Sequence, residues 1–370
     1  QGLVFYGPVA TLYRQSRGLN INQIFMLESI IVVLMLIFEI PWGYFADRFG
    51  YKITLNISFF IFFLSKIVFF EAHNFLMFLL EAVMISLSIS GITGCDSAII
   101  YSSLDGQDSA MVFSHYIAWG NAGLLAASIL STFMIKISLS STAFMTIFPY
   151  GAAYILSLFL VDTREKDEKQ SFKRSFRNVL KNKNIFLFII SISLVSESTH
   201  SLCVFLNQPQ YVKSGIPVIY FGLLTALMQV LCILSAKSYK FSEKFGERKM
   251  IISLFAVAAL ASFLLAFTSS PVITIILIAL IETSFALCQP LSSKIQNEAI
   301  ETADRATLLS VYAMVSDITA AISNLPVGKA AETSLEHGLI LCGTFCLAAA
   351  ILAFIYFKRE VHKQTLSAAN

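Results

Sequence analysis

Gly43-Tyr44-Phe45-Ala46-Asp47-Arg48-Phe49-Gly50-Tyr51-Lys52 is a short charged stretch that separates two long apolar runs. It reads as a tight reversal. Gly43 lets two helices approach closely, and Gly50 permits a turn that a side chain would hinder. Asp47 can take a charge-paired position at a neighbouring helix end. Arg48 and Lys52 can meet facing carboxylates or lipid phosphates. The flanking runs, roughly 22–45 and 53–71, each hold about the twenty apolar residues that cross a bilayer as a helix.

The pattern recurs outward along all 370 residues. Further apolar runs lie at roughly 74–100, 110–137, 140–161, 185–208, 217–236, 250–268, 271–293, 306–328 and 338–357, which predicts eleven complete spans. Gln1 to about Tyr13 is apolar but too short to cross alone, and reads as the end of a twelfth helix whose start lies upstream. Composition agrees. Hydrophobic residues make up 56% and charged residues 13%, against roughly 25% charged in a soluble domain. So few polar groups cannot coat a soluble globule. The six cysteines all fall within spans and read as small packing residues, Cys342 and Cys346 included; no metal site and no cofactor is expected.

Most of the 26 Lys and Arg fall on alternate loops: Arg48 and Lys52, the 162–184 and 237–249 stretches, Lys294, Arg305 and the C-terminus. The positive-inside rule places that side in the cytoplasm of an inner-membrane protein, with both termini of the full-length chain cytoplasmic. Asp162–Asn184 is the longest polar stretch. Phe172, Phe176, Val179 and Leu180 share one helical face among basic residues, which predicts a helix lying on the inner leaflet that links two bundles. No nucleic-acid role is expected for it. The domains are therefore expected at 1–161, 162–184 and 185–370.

The two halves repeat at an offset of 196 residues. Asp47-Arg48-Phe49-Gly50-Tyr51-Lys52 corresponds to Glu243-Lys244-Phe245-Gly246-Glu247-Arg248, and the same offset pairs Asp108 with Asp304, Tyr116 with Tyr312 and Asn121 with Asp317. Such repeats commonly place a transport site where the halves meet, near the bilayer midplane.

The stretch from Gly43 to Lys52 resembles the G-x-x-x-D-R-x-G-x-R/K signature of the major facilitator superfamily, and the degraded copy around Gly246 matches that family's second half. The resemblance implies twelve transmembrane helices in two six-helix bundles, an all-α membrane fold, working as a monomer by alternating access. It also implies a cytoplasmic latch at Gly43, Asp47, Arg48, Gly50 and Lys52. Glu39-Ile40-Pro41-Trp42-Gly43, Gly94-Cys95-Asp96-Ser97-Ala98-Ile99-Ile100-Tyr101 and Arg305-Ala306-Thr307-Leu308-Leu309-Ser310 resemble one bacterial branch, which more usually has Thr where Trp42 stands. The fifth helix carries Gly120-Asn121-Ala122-Gly123 but lacks the proline common in proton-driven drug antiporters.

Ionisable residues inside a membrane are functional candidates by default, because each costs roughly 2.5–3.5 kcal/mol at the bilayer centre. Glu197 falls near the midplane of the seventh helix, with His200 three residues on along the same face. An imidazole beside a carboxyl suits proton exchange at physiological pH. Asp317, its repeat mate Asn121, and Glu282 lie at similar depth. Glu39 and Asp96, near cytoplasmic ends, read as partners of Arg48 or Arg305. Lys66 is expected to snorkel outward past Phe69 and Phe70 toward Glu71. Pro209 is expected to break the seventh helix near its outer mouth, freeing carbonyls that join Gln208 and Tyr211 in a gate or cargo contact.

No nucleophile–base constellation, ATP-binding motif or phosphate loop occurs, so an enzyme is not expected. The leading reading is a secondary transporter of a small organic solute, coupled to protons, exporting a drug-like or amphipathic compound. Uptake by symport, and a sensor that binds solute without moving it, are the alternatives.

Overall fold

The structure is a computed structural model and describes residues 2–104, 108–161, 183–233, 235, 238–300 and 305–369. Among these every regular element is helical. A 3₁₀ turn, Gly7–Val9, leads into α1 (Ala10–Ser16), followed by α2 (Ile21–Phe49), α3 (Tyr51–Glu71), α4 (Phe75–Ile92), α5 (Cys95–Ser102), α6 (Ser109–Ile135) and α7 (Leu139–Ser157). The chain continues with α8 (Lys183–His200), a π-helical segment (Ser201–Leu206), α9 (Asn207–Lys213), α10 (Phe221–Cys232), α11 (Ser238–Phe245), α12 (Glu247–Phe267), α13 (Pro271–Glu298), α14 (Arg305–Thr333) and α15 (Leu335–Ala369). Among the described residues ten helices are long and apolar enough to cross a membrane, and Val218–Cys232 is a shorter apolar helix where an eleventh full span was expected. The linker helix read from Asp162–Asn184 falls, but for its last two residues, outside the described residues.

Short polar caps start the long helices. Asn20 and Gln23 form a reciprocal capping box at α2, and the side chains of Asn74 and Ser138 accept the Met77 and Ser141 amides at α4 and α7. The charged reversal is tighter than its sequence suggests. Gly43–Phe49 are still helical, and Gly50 alone, at φ 95°, turns the chain into α3. The Gly50 amide donates to the Ala46 carbonyl at 2.8 Å, so the helix can run to its last residue and reverse at once. Gly246, at φ 80°, does the same between α11 and α12.

The repeat is kept in the element starts. Tyr51 and Glu247, Phe75 and Pro271, Ser109 and Arg305, and Leu139 and Leu335 each begin a helix, and each pair is separated by the same 196 positions.

The contacts divide the chain into two compact units, Gln1–Glu168 with Pro217–Ala226, and Lys169–Ile216 with Leu227–Asn370. In the first, α3 packs on α4 and α7, and α2 packs on α4. The short stretch Pro217–Ala226, expected in the second bundle, groups here because Gly222 lies flat on α6. A Cβ at Gly222 would sit 2.4 Å from the Ser128 carbonyl. In the second unit α12 packs on α13 and α15, and α8 on α14 and α15. Ala258, Ala259, Ala349 and Ala353 are buried in that core beside Phe188 and Phe255. Small residues of this kind let membrane helices gain close van der Waals contact, since lipid offers no hydrophobic drive.

Candidate functional site

In the second unit the ionisable residues gather around the π-helical segment. Glu197 occupies the last turn of α8, and its Oε1 lies 3.5 Å from His200 Nδ1; the two side chains are 12% and 41% exposed. That distance brings carboxyl and imidazole together without hydrogen-bond geometry. The His200 ring stands edge-on to Phe205. Glu282 of α13 interacts electrostatically with Cys203 of the π segment and with Tyr211, and its Oε2 is buried with no hydrogen-bond partner among the described residues. Ser201 donates to Asn324 Oδ1 at 3.2 Å, and Ser193 to Ser316 at 2.7 Å, tying this helix to α14. Asp317, half-buried, follows Ser316 on α14.

Pro209 does not end this helix, which runs on through α9 to Lys213. The expected break is replaced by the π segment, where the Asn207 amide donates to the Leu202 carbonyl five residues back. The freed carbonyls are then satisfied locally. Asn207 Nδ2 donates to Cys203 at 2.6 Å and Gln208 Nε2 to Val204 at 3.0 Å. Gln208 and Tyr211 are both buried, so the Gln208 amide nitrogen is engaged with its own helix. π segments of this kind recur at functional sites.

In the first unit Asn121 is exposed on α6. Close packing beside it is set by Gly2, where a Cβ would meet the Gly120 carbonyl at 2.5 Å, while one at Gly123 would only touch Gly2 at 3.4 Å. Glu39, Asp47 and Arg48 are exposed and Lys52 half-buried. Asp47 lies within electrostatic reach of Cys95, the first residue of α5, which puts it at a neighbouring helix end. Asp96 accepts the Tyr116 hydroxyl at 2.8 Å, a partner on α6 that the sequence reading did not name. Arg305 begins α14, and its side chain lies outside the described residues. In the second copy of the motif, Glu247 pairs with Lys294, which also lies 3.7 Å from Glu298.

Lys66 corrects its expectation. It is buried, not snorkelled: its Nζ donates to the Tyr6 hydroxyl at 2.9 Å and sits over the rings of Phe62 and Tyr150. A cluster of aromatic faces stabilises the cation from inside the bundle. Glu81 and Arg14 are buried beside it and were not singled out from sequence, although Glu81 is a lone carboxyl within an apolar run.

Residues 2–324 and 215–370 match the Major Facilitator Superfamily profile, and the chain belongs to that superfamily. The MFS-type transporter YxaM of Bacillus subtilis (strain 168) is 25% identical over 207 residues, 50% of this chain and 49% of YxaM. Quinolone resistance protein NorA of Staphylococcus aureus (strain Mu50) is 24% identical over 212 residues, 55% of this chain and 54% of NorA. The chain thus spans about half the length of the curated relatives it matches. The structure of the nucleoside transporter NupG superposes with a TM-score of 0.80 at 16% identity over 96% of both chains. That of a D-xylose-proton symporter gives 0.71 at 14% identity over 95% and 93%. These two likenesses carry the fold alone. The fold is that of a multi-span helical member of a superfamily of membrane transporters.

Proposed function

We propose that the chain is a secondary active transporter that exports a drug-like or amphipathic small organic solute by alternating access, driven by protons. The observation that carries this reading is the Glu197–His200 pair beside a π-helical segment, in a family of membrane transporters. A mostly covered carboxyl next to an imidazole can bind and release a proton as the helix changes its surroundings. Glu282 and Asp317 supply further carboxyls in the second unit; in the first unit Asn121 offers a neutral hydrogen-bonding group. The resemblance to NorA favours export and makes a quinolone the first probe. Gly43, Glu39, Asp47, Arg48, Gly50, Lys52, Asp96 and Arg305 act as the cytoplasmic latch, in an orientation with the C-terminus cytoplasmic.

The test is quinolone flux in proteoliposomes with an imposed pH gradient. Efflux that follows the gradient and collapses with a protonophore supports the proposal. Accumulation in the direction of proton entry would make the chain a symporter, and saturable binding without flux would make it a sensor.

A further inference from the structure

We propose that Glu81, with Lys66 and Arg14, forms an additional proton-binding site enclosed within the first unit, separate from the Glu197–His200 pair. The proposal rests on the transport reading for its role in the cycle, but not for the proton binding itself.

Glu81, Lys66 and Arg14 are 1%, 2% and 8% exposed. The groups around Glu81 come from four helices and the segment preceding α1. Arg14 belongs to α1, with its guanidinium 5.4 Å from the Phe69 ring; Tyr6 precedes that helix; Glu28 belongs to α2, Lys66 to α3 and Tyr150 to α7. Glu81 interacts electrostatically with Lys66, Arg14 and Glu28. Yet Glu81 Oε1 and Arg14 Nε are sealed from solvent with no hydrogen-bond partner among the described residues. The environment is closed around the carboxyl. An organic solute does not fit at those atoms, but a proton does, and Oε1 is the oxygen without a donor.

The fold does not require these charges. At the repeat offset of 196, Arg14, Lys66 and Glu81 correspond to Gln210, Ser262 and Leu277, all buried. There Gln210 Nε2 donates to the Thr268 carbonyl at 3.0 Å and Ser262 to the Ala258 carbonyl at 2.7 Å. The helices that carry Ser262 and Leu277 start at the same offset as those carrying Lys66 and Glu81. One half therefore builds the same scaffold from neutral residues, while the other buries charges that each cost several kcal/mol to insert. A charge that packing does not need points to a function.

The step balances simply: a proton from the aqueous phase adds to the Glu81 carboxylate and gives the neutral acid. Arg14 and Lys66 then lose the negative charge of Glu81. The attraction that holds the Tyr6–Arg14 segment against α3 and α4 weakens, and that segment becomes the moving part.

The experiment is pH-difference infrared spectroscopy on the full chain in lipid nanodiscs. A carbonyl stretch of a protonated carboxyl is expected in the parent protein and in Glu197→Gln, and lost in Glu81→Gln. Identical difference spectra for the parent and Glu81→Gln would overturn the site. Should Glu81→Gln fail to fold, Glu81→Asp keeps the carboxyl and moves it. Its band must then shift in frequency or in pH midpoint, and an unshifted band overturns the site equally. In proteoliposomes, Glu81→Gln is expected to slow gradient-driven quinolone efflux while quinolone exchange persists. If the parent chain moves no quinolone, the transport reading fails, and the infrared band still decides the proton site.

Discussion

Glu197 shows how much a single substitution can test. Replacing its carboxyl by the isosteric amide removes proton binding and leaves the shape. Glu197→Gln should therefore lower pH-gradient-driven efflux by about two orders of magnitude, the scale of losing a positioned proton-transfer group. Its melting temperature should stay near the parent value, because no hydrogen bond to Oε1 is lost. His200→Gln should flatten the pH dependence of efflux, because the amide cannot take up a proton as an imidazole can. Full gradient-driven transport in both Glu197→Gln and Asp317→Asn would remove these residues from the proton path. Trp42 is a second residue-scale case. A Cβ at Gly91 would meet Ser58 Oγ at 2.1 Å and the Trp42 ring at 2.9 Å. Gly91→Ala should cost about 1–3 kcal/mol by overpacking. Adding Trp42→Thr, the residue more usual in the resembled branch, should restore part of that loss in thermal unfolding.

Among the elements, the seventh membrane helix differs most from its reading. Proline lacks the amide that would close its own turn. The chain absorbs that loss upstream, through the π segment and the side-chain amides of Asn207 and Gln208. Asn207→Leu should thus destabilise the chain by about 1 kcal/mol, typical of a polar bond in a membrane helix. The glycine reversals make a paired case. Gly50 and Gly246 both hold positive φ and separate helices at equivalent places in the two units. Gly50→Leu and Gly246→Leu should each cost about 1–2 kcal/mol from left-handed backbone strain. Because the two glycines lie in separate units, the double variant should lose the sum, measurable by thermal unfolding.

For the whole molecule, the repeat of 196 residues is the dominant fact. It appears in the motif, in the helix starts and in the two reversal glycines. The charge asymmetry of the loops gives an orientation that labelling can check. A cysteine placed at Lys136 or Lys329 should react with an impermeant maleimide added outside intact cells, and one at Lys52 should not. The reverse pattern would invert the proposed topology.

The sequence by itself determined the membrane class, nearly every span, the reversal at Gly50, the repeat and the juxtaposition of Glu197 with His200. These are local properties. Apolar length, a glycine's backbone freedom and a three-residue spacing on one helix depend on neighbours within a few turns. Only the tertiary structure decided that Lys66 turns inward to Tyr6, that Asp96 meets Tyr116, and that Glu81 is enclosed with Arg14. A long side chain on a membrane helix can reach the interface or the bundle interior with equal local ease. Which one it takes is set by partners distant in sequence, Tyr6 and Tyr150 for Lys66, and no local pattern records that choice.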